Sequence, residues 1–202
     1  MTLSTNLRKL NLIVHLTSSL GWFGGCLAFI FLGVFALNQG DFQVAGSLSY
    51  GLKICTWYVI LPLCIISLFS GIIQAVGTQW GLFKHYWIII KLLLTCMATI
   101  LLIIHLQPID MLSNAFIKDG VDRVTASQNI ISLISKAGLA AITILLLTTI
   151  SVFKPWGKRI KNNPKMKMKK KSTSFYILIG LVALILIVLL KHLIDFGGIP
   201  NH

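Results

Sequence analysis

The chain contains no glutamate, and its only acidic residues are five aspartates, Asp41, Asp110, Asp119, Asp122 and Asp195. None of the five lies within a long apolar stretch. A proton-coupled transporter normally carries a carboxylate inside the membrane, so that class is excluded. Charge of either sign is scarce: charged residues make up 11% of the chain, against about 25% in an average soluble domain. No P-loop, G-x-S-x-G or H-E-x-x-H pattern occurs, which removes the usual ATPase and hydrolase readings. The four cysteines form neither C-x-x-C nor C-x-x-C-H, so covalent c-type haem attachment lacks its motif.

Apolar residue is what the chain has in excess. Nearly charge-free stretches run from Leu10 to Leu37, Ile54 to Val76, Tyr86 to Leu106, Ile130 to Phe153 and Phe175 to Leu190, together more than half of the 202 residues. A soluble domain of this size has no core that could bury all five. The sequence predicts an all-α, polytopic membrane protein: a four-helix transmembrane bundle over residues 1–153, a basic cytoplasmic linker over 154–173, and one appended C-terminal transmembrane helix within 174–202. The last span is almost only Leu, Ile and Val, apolar all round, and reads as an anchor facing lipid.

The formal charge of +13 has a local origin, because half of the 18 basic residues lie between Lys154 and Lys171. Between hydrophobic spans, a short basic segment marks the cytoplasmic side and is attracted to anionic lipid headgroups; it does not imply nucleic acid. Arg8, Lys9 and Lys84 then fall on the same side, with the N-terminus in and the C-terminus out. The segments Leu37–Ile54 and Gln107–Asn129 read as outer loops. Trp57, Tyr58, Trp80, Trp87 and Trp156 fit interfacial belts. Pro62 should kink span two by removing a backbone bond and crowding the Tyr58 carbonyl. Gly21 and Gly25 form a small-xxx-small pair, which permits close helix approach without naming the partner.

Ionisable groups inside the spans each require a reason. His15 enters five residues past Leu10 and Lys91 five residues past Tyr86, both roughly 8 Å below the inner surface. From His15, the helical repeat places Ser18, Ser19, Trp22 and Cys26 on one stripe, which should face the bundle interior. On span three, Lys91, Thr95, Ala98, Leu102 and His105 share a face. Lys136, in span four, falls near the level of His105. Two ligand pairs follow: His15 with Lys91, and His105 with Lys136. Imidazoles in a helical bundle are common axial ligands of haem, and neutral lysine also ligates iron.

Structural alternatives stand beside these. Lys91 can snorkel to the headgroups, His105 can be interfacial, and Lys136 can pair with Asp122 or a carbonyl. His15 can simply hydrogen-bond Ser19 or a backbone group. Cys26, Cys55, Cys64 and Cys96 suit core filling. Cys64 and Cys96, at similar depth on neighbouring spans, would also suit Cu(I) with His and Met nearby.

The runs HLTSSLGWFGG (His15–Gly25), GTQWGLFKHYWIIIKLLLT (Gly77–Thr95), IIHLQPID (Ile103–Asp110) and SVFKPWGKR (Ser151–Arg159) resemble a bacterial family of predicted integral membrane proteins of unknown function. The likeness covers about residues 10–160 and implies the cytoplasmic membrane. The His near the start of span one, followed by W-x-G-G, looks like the membrane domains of copper-resistance-D proteins. The His15 and Lys91 arrangement is similar to HemJ-type protoporphyrinogen oxidases, in which a His and a Lys on corresponding helices are implicated in haem binding. Relatives tend to carry His at the position of Lys136. The combined expectation is b-type haem in the first four spans, with His15 and Lys91 as ligands and Ser19, Trp22, His105 and Lys136 around a cofactor. Electrons would pass to or from a quinone or a protein partner. The rival expectations are a copper-handling membrane protein and a non-enzymatic scaffold or accessory subunit.

Overall fold

The structure is a computed structural model, and it describes residues 3–77, 85–117 and 122–153, with Gly180, Ala183 and Ile187 in addition. The basic linker at Lys154–Lys171, most of the expected C-terminal anchor and the turn residues 78–84 lie outside the described residues. Helix α1 spans Thr5–Leu37, α2 Phe42–Cys55, α3 Leu61–Val76, α4 Tyr86–Ile117 and α5 Arg123–Phe153, and a π-helical turn at Thr56–Ile60 joins α2 to α3. Four helical rods, the second of them α2, the π-turn and α3 in series, are long and apolar enough to cross a membrane. This is a multi-pass, all-helical membrane protein. The end where α1 and α4 begin and α3 and α5 finish is called the near end below, and the opposite end the far end.

The rods are longer than the apolar runs. At 1.5 Å per residue the 33 residues of α1 reach about 50 Å, against roughly 30 Å of hydrocarbon. The two segments expected as outer loops are largely helical: α2 begins at Phe42, α4 continues to Ile117 and α5 starts at Arg123. Their apolar residues recur at the helical repeat and not as a continuous run. Ala45, Ser49 and Leu52 are buried on α2, Ile109, Leu112, Ser113 and Phe116 on α4, and Ala126, Ile130 and Leu133 on α5. Each such stripe packs one face at the far end and leaves polar residues outside. There the Phe42 and Phe116 rings lie 4.9 Å apart. Asp110 accepts from the Trp57 indole at 3.1 Å and pairs with Lys53 at 3.2 Å, a part-exposed clamp between α2 and α4.

Where a kink was expected at Pro62, the chain forms a π-turn just ahead of it. The Leu61 N–H reaches back to the Thr56 carbonyl, and α3 restarts with the proline in its first turn. The glycine pair acquires a partner too. A Cβ on Gly21 would lie 3.0 Å from Leu63, and one on Gly25 2.9 Å from Ile60. The seam therefore joins span one to span two within this chain.

Asp122 caps α5, its carboxylate accepting the Thr125 N–H at 3.1 Å. Hydrogen bonds from Thr125, the side chain foremost, hold the Asp122 carboxyl below the usual carboxylate range. A depressed carboxyl stabilises the fold above its unfolded value of about 3.9, and the contribution fades as pH falls through the lower folded value. Asp122→Ala is expected to speed amide exchange in the first turn of α5 at neutral pH. The difference from wild type should vanish in acid; a difference that persists there would exclude the carboxylate as the cause.

Candidate functional site

The near half of the bundle gathers polar side chains from all four spans. On α1 the stripe expected to face inward does so, with Ser18, Trp22 and Cys26 buried. The His15 Nδ1 lies 3.0 Å from the Ser67 carbonyl and 3.2 Å from Ser70 Oγ, both on α3. A carbonyl can only accept, so Nδ1 carries the proton and Nε2 keeps its lone pair. The ring lies against Gly71, where a Cβ would stand 3.0 Å from its Cε1. One turn nearer the end, the Asn11 amide donates to the Ser70 carbonyl at 2.9 Å and to Gln74 Oε1 at 2.8 Å. One turn farther in, Ser19 donates to the His15 carbonyl at 2.7 Å and meets Ser67 Oγ at 2.7 Å.

Lys91 approaches from α4. Its ammonium donates to Ser151 Oγ on α5, whose own hydroxyl donates to the Leu147 carbonyl. His15 and Lys91 are hydrogen-bonded to different helices, α3 and α5 respectively. Lys91 has a partner within the bundle instead of snorkelling away from it. The described aspartates, Asp41, Asp110 and Asp122, sit at the far end, so none balances Lys91.

Five interhelical contacts of Asn11, His15 and Ser19 join α1 to α3 here, at about 0.6 kcal/mol each for hydrogen bonds within a membrane.

The second expected pair shares a cavity. His105 and Lys136 line one cavity of about 70 Å³ between the π-turn, α1, α4 and α5, and Trp22 and Cys26 form its wall towards His15. The His105 Nδ1 is hydrogen-bonded to the Leu101 carbonyl of its own helix. Trp22 is only 2% exposed, and the buried side-chain polar atom without a hydrogen-bond partner among the described residues is Ser113 Oγ. Seven residues, about 10 Å along α1, separate Trp22 from His15. The six expected site residues thus divide between two places: His15, Ser19 and Lys91 near the end, and Trp22, His105 and Lys136 around the cavity.

The donor chemistry at His15 suits haem, since a backbone carbonyl on Nδ1 is the usual way to aim Nε2 at a metal. The central cavity is too small for a porphyrin, because pockets for ligands of that scale run to roughly 300–1,000 Å³. For copper, Cys64 instead shares a hydrogen bond with Thr99 at 3.2 Å. Among the described residues no three of His, Cys and Asp form a group able to hold a metal ion.

Sequence reasoning missed Asn11, Ser67, Ser70, Gly71, Gln74 and Ser151. Four of them were legible as a set, because Ser67, Ser70, Gly71 and Gln74 follow the i, i+3, i+4, i+7 repeat on one face of span two. No family model, no curated protein and no solved structure matches the chain.

Proposed function

We propose that this is a protein of the bacterial cytoplasmic membrane that binds b-type haem at the near end of its bundle through His15 and serves membrane redox chemistry. The observation that carries the reading is the Nδ1 hydrogen bond from His15 to the Ser67 carbonyl, which fixes the tautomer and leaves Nε2 for iron. Bound haem supplies a one-electron couple. The chain supplies the imidazole and, with Gly71, the room its ring occupies. Lys91 is the second nitrogen at this level and the candidate second ligand, as a neutral amine. Asn11 and Gln74 stand one or two turns nearer the surface, where the acid groups of a haem would meet the headgroups.

The near end faces the cytoplasm in this reading, because Arg8 and Lys9 lie there and, in sequence, Lys84 directly precedes α4 and Lys154–Lys171 directly follow α5. That segment would also hold anionic headgroups. Electrons would be exchanged with a quinone or a protein partner. The scaffold reading is weakened by Gly21 and Gly25, which are consumed by packing inside the chain. The test is to purify the full chain in detergent from haem-replete cells and record oxidised and reduced spectra. A Soret band that sharpens and shifts on reduction is expected; a colourless preparation would overturn the proposal.

A further inference from the structure

The seam between α4 and α5 carries a second arrangement, distinct from the His15 site. Lys91 lies five residues past the start of α4 and Ser151 two residues before the end of α5, so the two helices bring them to one level at the near end. Lys91 Nζ and Ser151 Oγ are part-buried and hydrogen-bonded to each other. Deeper in the seam, Leu94 and Leu147 supply buried apolar carbon. A serine hydroxyl held on a lysine amine is a nucleophile beside a base, the Ser–Lys form of that pairing. Motif patterns pass over it because 60 residues separate the two. The Ser151 O–H rests on the Leu147 carbonyl, and rotation about Cβ–Oγ turns it to Nζ.

We propose that Ser151 and Lys91 form a Ser–Lys dyad that cleaves the acyl ester of a membrane glycerolipid at the near-end surface. Lys91 lies roughly 8 Å along α4 from Tyr86, and the headgroup layer is about 5–8 Å thick on each side of the hydrocarbon. That is the depth of the ester carbonyls that join acyl chains to glycerol. Ser151 Oγ attacks the ester carbonyl carbon while its proton passes to the neutral Lys91 amine. The bond from that carbon to the glycerol oxygen breaks, and Lys91 returns the proton to the leaving oxygen. Water then attacks the acyl-serine and gives its proton to Lys91, which passes it to Ser151 as the fatty acid leaves. Lys91 serves one role at a time: engaged with Ser151, it leaves His15 as the haem ligand, and neither proposal needs the other.

The test is covalent labelling of the detergent-purified full chain with a long-chain alkyl fluorophosphonate, read by intact mass and peptide mapping. One adduct, on Ser151, is expected in wild type, and none in Ser151→Ala. Lys91→Arg keeps the charge and the donors but supplies no base, and should slow adduct formation roughly 100-fold or more. The full chain reconstituted in phosphatidylglycerol vesicles should release fatty acid, and Ser151→Ala should not. An unmodified wild type, an adduct on another serine, or equal labelling in Lys91→Arg would overturn the dyad. Turnover confined to p-nitrophenyl butyrate, a soluble ester, would overturn the lipid as its substrate. None of these readouts depends on whether the preparation contains haem.

Discussion

Gly33→Leu is expected to lower the thermal midpoint of the detergent-solubilised protein by several degrees, more than any other single glycine replacement in α1. A Cβ at this position would lie 2.7 Å from Ile134 Cγ1, 2.9 Å from its Cδ1 and 3.7 Å from Ile130 Cγ2, all on α5. The first two distances are shorter than any real contact, so the two helices must separate or Ile134 must leave its rotamer. Overpacking of this kind costs about 1–3 kcal/mol, sometimes more. At roughly 2–4 °C per kcal/mol for a chain of this size, the shift is well within measurement. Gly24→Leu is the control, since a Cβ there meets nothing within 4 Å. Equal midpoints for the two variants would contradict the α1–α5 register.

Gly71→Val is expected to reduce haem content per protein at least tenfold while costing less stability than Gly33→Leu. The His15 ring rests on Gly71, with Cε1, Nδ1 and Nε2 at 3.0, 3.5 and 3.8 Å from the position of a Cβ. Valine would push the ring off α3 and break its bond to the Ser67 carbonyl. Changes in the support of a metal-binding histidine typically cost 10–100-fold in affinity. Ser67→Ala separates this from a loss of local packing. It removes the hydroxyl shared with Ser19 but keeps the carbonyl used by His15. Haem content should then stay near wild type. A larger loss in Ser67→Ala than in Gly71→Val would show that the hydroxyl network, and not the ring position, governs the site.

The membrane architecture was legible because apolar length alone decides it, and the ionisable exceptions His15, Lys91, His105 and Lys136 stood out against that background. The helix limits were not, since the far-end segments are amphipathic and their burial depends on neighbours many residues away. Pro62 announced a kink, and the π-turn at Thr56–Ile60 that replaces it depends on packing the sequence does not spell out. Gly21 and Gly25 announced a close approach, and only the assembled bundle shows that Leu63 and Ile60 are opposite. Ser151 could not be read as the partner of Lys91, because it lies 60 residues away on a helix whose register the sequence does not fix.

The role of His15 is tested most directly by quantifying haem per protein, from reduced-minus-oxidised spectra, in wild type, His15→Ala and His105→Ala prepared alike from haem-replete cells. Stoichiometric haem in wild type and His105→Ala, with none in His15→Ala, is the predicted result. Undiminished haem in His15→Ala, or no haem in any of the three, would contradict it.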